Sequence, residues 1–497
     1  MTTFVVIGGG VSGLAAARIL AGCKPVSEAG GTGLDGDAEV ILLESSDRVG
    51  GKLLTGMFGA APVELGPDQF LRSDPSAENL CRHFGLGDDL IAPAVRSAAV
   101  YSHGRPRGLP AGLMLGLPTD LDALADSGIV GDEALEFARS ESERPGPVLS
   151  AADVGLDESA DPAAELSAGY LLRQRLGDEI VDRLADPLIG GINAGRLDQL
   201  SLGTVAPQIA RALVGHHDVI GPLAAAMAGA GMRPAGAAGT AGGPPESPFF
   251  GLAGGLGRLF PPLEAELREA GCDVRLSCPV LGATRQGSQF VLSTPEGEID
   301  ADGIVLALPG PEIEQVLGSI GGAAMQRFAD IAYASVAVAT FAFAPGTDAG
   351  LEGWSGVLVP RVQGALMTAA TFLSAKWPWM TAGADGAPGP LVRVSAGRFG
   401  DDRIAALSDS EIIHRLLGEL PVYAGMPKVP VGFHLHRWDQ AFPQYTPGYL
   451  PRLANMRRAV AGLGGVAVAG AVLGGIGLPA CITSGERAAL ELASSMR

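Results

Sequence analysis

The chain opens with Thr3-Phe4-Val5-Val6-Ile7, a β-branched apolar run, followed at once by Gly8-Gly9-Gly10-Val11-Ser12-Gly13 and then Leu14-Ala15-Ala16-Ala17-Arg18-Ile19-Leu20. The first segment reads as a buried strand and the last as a helix built from strong helix formers. Few features constrain a fold more than a strand, a glycine turn and a helix in this order. Gly8 permits the tight turn, Gly10 lets backbone approach a pyrophosphate, and Gly13 lets helix and strand pack closely. Gly9, Val11 and Ser12 complete the loop, and the helix start offers N–H groups and a partial positive charge to phosphates. Glu39-Val40-Ile41-Leu42-Leu43-Glu44 then reads as a second strand, ending in an acid suited to ribose hydroxyls. A carboxylate there would repel a 2′-phosphate, which disfavours NADP. Glu44 lies further on than the usual ~20 residues. The excess falls in Cys23 to Ala38, rich in Gly and Asp, which reads as an inserted surface loop.

Arg48-Val49-Gly50-Gly51-Lys52 follows Glu44 directly. This placement resembles the flavoprotein family that includes amine oxidases and oxygen-dependent porphyrinogen oxidases. The resemblance implies FAD as cofactor, with Glu44, Ser45, Arg48, Gly51 and Lys52 around its ribose and pyrophosphate. It continues in Gly66-Pro67-Asp68-Gln69-Phe70, similar to the family's G-P-D-S-F segment beside the isoalloxazine ring, with Gln69 in place of the usual serine. A plain Gly-Pro turn is the alternative for that motif taken alone. After Gly254-Gly255-Leu256 and a helix, Val280 matches the residue that holds adenine through its backbone. Trp438, Pro443-Gln444-Tyr445 and Gly475-Ile476-Gly477-Leu478-Pro479-Ala480-Cys481-Ile482-Thr483-Ser484-Gly485 resemble the ending of protoporphyrinogen and coproporphyrinogen oxidases. Trp438, Gly475, Ile476, Gly477 and Leu478 are thereby implied at the flavin. The motifs run from the start of the chain to its end.

Composition sets bounds on this reading. At 497 residues, two or three domains are expected. The resemblance implies an α/β fold: a Rossmann-like FAD-binding domain, an antiparallel-sheet substrate domain and an inserted helical lobe. Residues 1–66, 249–310 and 433–497 are assigned to the first, 67–112 and 311–432 to the second, and 113–212 to the lobe. Residues 213–248 are a linker whose Gly229 to Pro248 run is too poor in bulky side chains to build a core. Strands are expected at Tyr333 to Phe343, Gly356 to Arg361, Ala365 to Phe372 and Leu391 to Ala396, with helices at Ser76 to Asp89 and Ser408 to Leu417.

A balance of 35 basic against 54 acidic residues argues against nucleic acid or an anionic membrane as a bulk partner. Five cysteines without a C-x-x-C pair suggest free thiols in a reducing compartment. The N-terminus enters the first strand without a basic and apolar leader, so no signal peptide is expected. The uncharged stretch between Arg458 and Glu486 is long enough to span a membrane, but eight glycines and Pro479 divide it. A soluble, cytoplasmic protein is the expectation.

No G-x-S-x-G, H-E-x-x-H or Cys/His cluster is present. His434 and His436 alternate on a strand without a third ligand in view, so no metal is expected. Such a chain suits a reaction in which a flexible macrocycle loses hydride to flavin N5 and gains aromaticity, with no catalytic acid or base required. The resemblance to the Gram-positive type implies oxidation of coproporphyrinogen III to coproporphyrin III, with oxygen as acceptor, hydrogen peroxide as by-product and a hand-off to ferrochelatase. Protoporphyrinogen IX is the second reading. Amine oxidation, which would favour a lysine near N5 and an aromatic cage, is the third, and a non-catalytic flavin-fold binder the fourth. Candidates to meet substrate are Arg72, Arg96, Asn193 and Tyr445. Arg105 and Arg107 join them as cations for carboxylates, each also readable as a solvated surface charge.

Overall fold

The computed structural model describes residues 2–27, 38–59, 61–229, 247–347, 353–381 and 389–496. Most of the proposed loop before the second strand, and nearly all of the Gly229 to Pro248 run, lie outside the described residues. Thr2–Ile7 is the middle strand of a five-stranded parallel sheet. The order is Asp273–Arg275, Ala38–Leu43, Thr2–Ile7, Gly303–Leu306 and Val466–Val468. The runs Val5-Val6 and Ile304-Val305-Leu306 are fully buried, as strands covered on both faces must be. Helix Val11–Leu20 crosses from the first strand to the second, and the last helix, Leu478–Ser495, packs beside it. Leu14, Ile19, Ile482 and Ala489 share one core cluster there.

The second sheet has seven strands: Gly432–Pro443, Tyr333–Ala342, Leu391–Ala396, Met367–Phe372, Gly356–Leu358, Ala99–Ser102 and Arg105–Gly108. All neighbours are antiparallel except Gly356–Leu358 with Ala99–Ser102. One face carries Ala337, Ala339, Phe341, Val392 and Val394 against helix Asp409–Ala424. That helix starts at a capping box made by Ser408 and Glu411 and runs past the expected Leu417 with Pro421 inside it. Leu416, Leu420 and Ala424, four residues apart, are all buried in the same cluster, and their burial outweighs the lost hydrogen bond. The cross-strand register gives the opposite face: Val336 opposite Trp438, Val338 between His436 and Ser395, Thr340 between His434 and Arg393.

The helical lobe forms its own core from Leu124, Leu171, Leu184, Ile209 and their neighbours, and Leu358 of the sheet packs against it. Within the lobe Val181–Gly190 winds as a π-helix containing Pro187, a geometry the motif at Asp186-Pro187 did not announce. Helix Ser76–His83 is shorter than expected, because Gly85 turns the chain at φ 72° before a 3-10 turn at Gly87–Asp89. Among the described residues no helix is long and apolar enough to cross a membrane. The uncharged C-terminal stretch is divided among the end of helix Tyr449–Leu463, strand Val466–Val468, a turn and the start of the last helix.

The two helices at the parallel sheet meet backbone to side chain at Gly485, where a Cβ would fall 2.0 Å from the Ser12 carbonyl oxygen. Gly485→Ala should therefore lower stability by about 1–3 kcal/mol through overpacking, read as a drop in thermal midpoint. An unchanged midpoint would mean that the helices do not touch there.

Candidate functional site

The glycine loop is shaped by close contacts on one side and open space on the other. Gly8 has φ 102°, and a Cβ there would lie 2.5 Å from the Ala307 carbonyl oxygen. A Cβ on Gly13 would lie 1.8 Å from the Gly8 carbonyl oxygen, so the helix could not seat on the turn with any larger residue. At Gly10 nothing stands within 4 Å of that position. Gly10 is also the helix N-cap, has no side chain to cap with, and the first internal bond runs from the Leu14 N–H to its carbonyl. The N–H groups of Val11, Ser12 and Gly13 thus face the open space. The last helix likewise starts without a side-chain cap, at Gly477.

Glu44 frames the loop. Its Oε2 accepts from the Gly9 N–H at 2.6 Å, while Oε1 accepts from the Ser46 N–H and hydroxyl, each at 2.8 Å, and from the Ser45 hydroxyl at 3.3 Å. Its main chain pairs with Arg275 and Cys278, which brings Val280 alongside. Ser277, at the turn between them, holds a left-handed φ of 52°, a conformation that is strained for a non-glycine residue.

The Gly50-Gly51 turn lies against the loop, with the Gly50 N–H donating to the Gly9 carbonyl at 2.8 Å. Arg48 donates to the carbonyls of Val49, Gly51 and Leu53, so its guanidinium braces this turn from within. Lys52 Nζ donates to the Gln440 and Ala441 carbonyls at 3.0 and 2.7 Å, and burial lowers its pKa. Gln440 is another left-handed non-glycine residue, at φ 46°. Trp438 Nε1 donates to the Leu65 carbonyl at 2.8 Å, placing strand Gly432–Pro443 over the Gly66-Pro67 segment.

Asp68 sits at a buried charge cluster that local spacing does not reveal. Its Oδ2 accepts from Lys376 Nζ at 2.8 Å and from Trp377 Nε1 at 2.7 Å, and Oδ1 from Arg393 Nη2 at 3.0 Å. Arg393 also donates to the Gly66 carbonyl at 3.0 Å. Burial alone would raise the Asp68 pKa, but Arg393 and Lys376 hold it well below the carboxylate range. Glu64, 1% exposed, is the opposite case: it accepts from the Leu256 N–H and the Thr55 hydroxyl, and burial pushes it up to about 7. Gln69 Oε1 is buried without a hydrogen-bond partner among the described residues.

The candidate substrate contacts scatter. Arg72 stacks 4.0 Å over Phe250 and donates to the Ser247 carbonyl. Arg96 is exposed, and Arg105 and Arg107 lie on the edge strand of the seven-stranded sheet. Asn193 donates to the Ile189 carbonyl and accepts at its own carbonyl from Gln444 Nε2 at 3.0 Å. Tyr445 is 1% exposed, and its hydroxyl donates to the Ala471 carbonyl at 2.6 Å, just before Gly474–Leu478. Lys376 and Arg393 escaped sequence reasoning because they stand some three hundred residues from Asp68, with no motif around them.

The open cradle before Gly10, the two uncapped helix starts and the ribose-type acid Glu44 together fit a dinucleotide bearing a pyrophosphate. The sequence matches the family described as flavin containing amine oxidoreductase over residues 11–493, and the chain belongs to that family. It is a flavin-dependent oxidoreductase with FAD as cofactor. It is 30% identical to a coproporphyrinogen III oxidase of Mycobacterium tuberculosis (strain ATCC 25618 / H37Rv) over 99% of this chain and 98% of that one. It is likewise 30% identical to the coproporphyrinogen III oxidase of Bacillus subtilis (strain 168), covering 97% and 96%. The crystal structure of a protein assigned as a protoporphyrinogen oxidase from Exiguobacterium sp. 255-15 superposes with a TM-score of 0.80 at 27% identity, covering 99% of both chains.

Removing the carboxylate in Asp68→Ala leaves Lys376 and Arg393 buried without their counter-charge and should cost about 3–5 kcal/mol at neutral pH. The Asp68 contribution is complete above its unfolded pKa of about 3.9 and is lost only on acidification below it. Glu64 works the other way. Its raised pKa means that the folded state keeps a proton the unfolded chain releases, so stability falls as pH rises from about 4.3 to 7. Glu64→Gln should flatten that slope in thermal melts taken across this range, and a slope equal to the wild type's would exclude Glu64 as its source.

Proposed function

We propose that this chain catalyses the FAD- and oxygen-dependent oxidation of coproporphyrinogen III to coproporphyrin III, forming hydrogen peroxide, as a step in haem biosynthesis. Curated relatives of that name matching nearly the full length support the substrate. The observation that carries the reading against amine chemistry is the disposition of lysines. The chain has four: Lys24 and Lys428 are exposed, Lys52 is tied to two carbonyls, and Lys376 is ion-paired to Asp68. The face of strand Tyr333–Ala342 opposite Trp438 and His436 presents Val336, Val338 and Thr340 instead. That face has no lysine and sets Val336 and Val338 among Thr340, His434, His436, Ser395 and Arg393, which suits a macrocycle that needs orientation more than proton transfer.

In this proposal Gly8 to Gly13, Gly51 and the N–H groups at the two helix starts hold the pyrophosphate. Glu44, with Ser45 beside it, holds the ribose and Val280 the adenine. Gly66 to Gln69, Trp438 and Gly475 to Leu478 flank the ring system. Bound FAD supplies a two-electron acceptor that oxygen can reoxidise. The remaining work of the protein is to press a methylene bridge of the substrate toward that acceptor over the Val336–Thr340 floor. Arg48 and Lys52 keep the Gly50-Gly51 turn rigid from behind. Residues 1–66, 249–310 and 433–497 act as the cofactor domain, the rest as substrate sheet, lobe and linker. The protein works in the cytoplasm and passes its porphyrin to ferrochelatase. Protoporphyrinogen IX is the second reading, favoured by the likeness to the Exiguobacterium structure.

Anaerobic mixing with coproporphyrinogen III, protoporphyrinogen IX and a polyamine in turn tests this. Coproporphyrinogen III should bleach the flavin fastest, and admission of air should restore its colour with porphyrin fluorescence and peroxide. Bleaching by the polyamine alone would replace the proposal with amine oxidation.

A further inference from the structure

Two arginines meet where the lobe joins the seven-stranded sheet, and nothing above uses them. Arg361 lies in the 3-10 turn Arg361–Gln363 just past strand Gly356–Leu358, and Arg398 follows strand Leu391–Ala396. Arg361 Nη2 donates to the Gly195 carbonyl at 3.0 Å. Arg398 Nη2 donates to the carbonyls of Val359 and Met367 at 2.7 and 3.3 Å. Arg361 Nε, however, is buried and has no hydrogen-bond partner among the described residues. The carboxylate facing it, Asp186, holds its Oδ2 3.9 Å away, beyond hydrogen-bond range, and uses Oδ1 on the Leu197 N–H at 2.9 Å. A buried charged donor left without an acceptor is costly, so its persistence calls for an acceptor from outside the chain.

A cavity of about 350 Å³ opens beside this group, lined by Arg361, Arg173, Arg196 and Val362 together with Asp178, Asp182, Asp186 and Asp198. The other charges in its wall satisfy one another. Arg173 pairs with Asp178, Asp182 and Asp198, and Arg196 pairs with Asp198 at 2.9 Å. Asp401, near Arg398, is taken by Arg403 at 2.6 Å. Burial lowers the pKa of Arg361, and burial followed by the neighbouring Arg361 charge brings Arg398 to about 10. Asp186 is the main counter-charge to both guanidiniums, with Asp401 acting more weakly on each. The position is also linked to the flavin end of the molecule. The turn that Arg361 holds at Gly195 carries Asn193, which Gln444 grips, and the next residue, Tyr445, bonds to Ala471 ahead of Gly474–Leu478. Gln444 Oε1, in a residue 2% exposed, is a second polar atom without a partner, and it stands 2.8 Å from where a Gly195 Cβ would be.

We propose that Arg361, backed by Arg398, binds one carboxylate arm of the porphyrinogen through the part of its guanidinium that lines the cavity, the neighbouring guanidinium adding charge. This rests on the porphyrinogen reading and goes beyond it by naming a carboxylate site. The cavity has room for a carboxylate arm. A guanidinium is the group suited to a carboxylate, since its donors form a planar fork.

The test compares holoenzyme of the wild type, Arg361→Gln and Arg361→Lys. Coproporphyrin III and its tetramethyl ester are titrated by fluorescence, with flavin content measured in parallel. Arg361→Gln should weaken binding of the free acid about tenfold or more, the size of one charge-assisted hydrogen bond, and leave the ester and the flavin content unchanged. Arg361→Lys, which keeps the charge without the fork, should fall between and guards against a folding failure of the first variant. The KM for coproporphyrinogen III should rise in the same order, with kcat little altered. Equal affinity of the wild type and Arg361→Gln for the free acid would overturn the assignment while leaving the reaction standing. So would parallel loss of acid and ester binding, which would mark Arg361 as a prop for the lobe. A wild type that neither binds nor oxidises these tetrapyrroles would remove the porphyrinogen reading, and this inference with it.

Discussion

The contact on which the rest depends is the backbone approach of two helices drawn from opposite ends of the chain. Ser12, in the first helix, and Gly485, in the last, leave no room for a side chain between them. That closeness sets two uncapped helix starts side by side, each offering N–H groups and a positive dipole end to the same space. Separated, either would be an ordinary helix start. Brought together over one parallel sheet, they make a cradle that a pyrophosphate and a ring system can share.

A second set of interactions joins that cradle to the substrate sheet. Trp438 donates to Leu65, Lys52 to Gln440 and Ala441, and Asp68 gathers Lys376, Trp377 and Arg393. Each link fixes a side chain against main chain or against a buried opposite charge, so the Gly66-Pro67 segment has little freedom relative to either sheet. Two left-handed non-glycine residues, Ser277 and Gln440, stand beside these links, and a third, Ala194, lies at the lobe junction. Strain of that kind survives only where surrounding contacts over-determine the backbone.

Much of the architecture was legible from local patterns. The strand at Thr3, the glycine loop, the acid after the second strand and the doubled glycine are each short, and their chemistry depends on spacing within a few residues. The α/β class with an antiparallel second sheet followed from them and from the family resemblance. The π-helix around Pro187 and the extension of helix Asp409–Ala424 through Pro421 were not legible. In both, packing of a buried face overrides the local preference that proline expresses. Candidate cations were harder still, because an arginine's partners are set by neighbours far away in sequence. Arg72 stacks on Phe250, while Arg361, expected at the end of a strand, lies in a 3-10 turn beside a cavity.

The sequence by itself determined the order of strand, glycine turn and helix on which the proposed nucleotide site rests. Glycine alone allows that turn and that closeness, and four glycines in six residues leave few other conformations. Only the tertiary structure decided which charges are committed to the fold and which are left to meet a ligand. Asp68 pairs directly with Lys376 and Arg393 across some three hundred residues, whereas Arg361 stands 3.9 Å from Asp186 at the wall of a cavity. Electrostatic energy depends on distance and burial in space, and neither can be read along the chain.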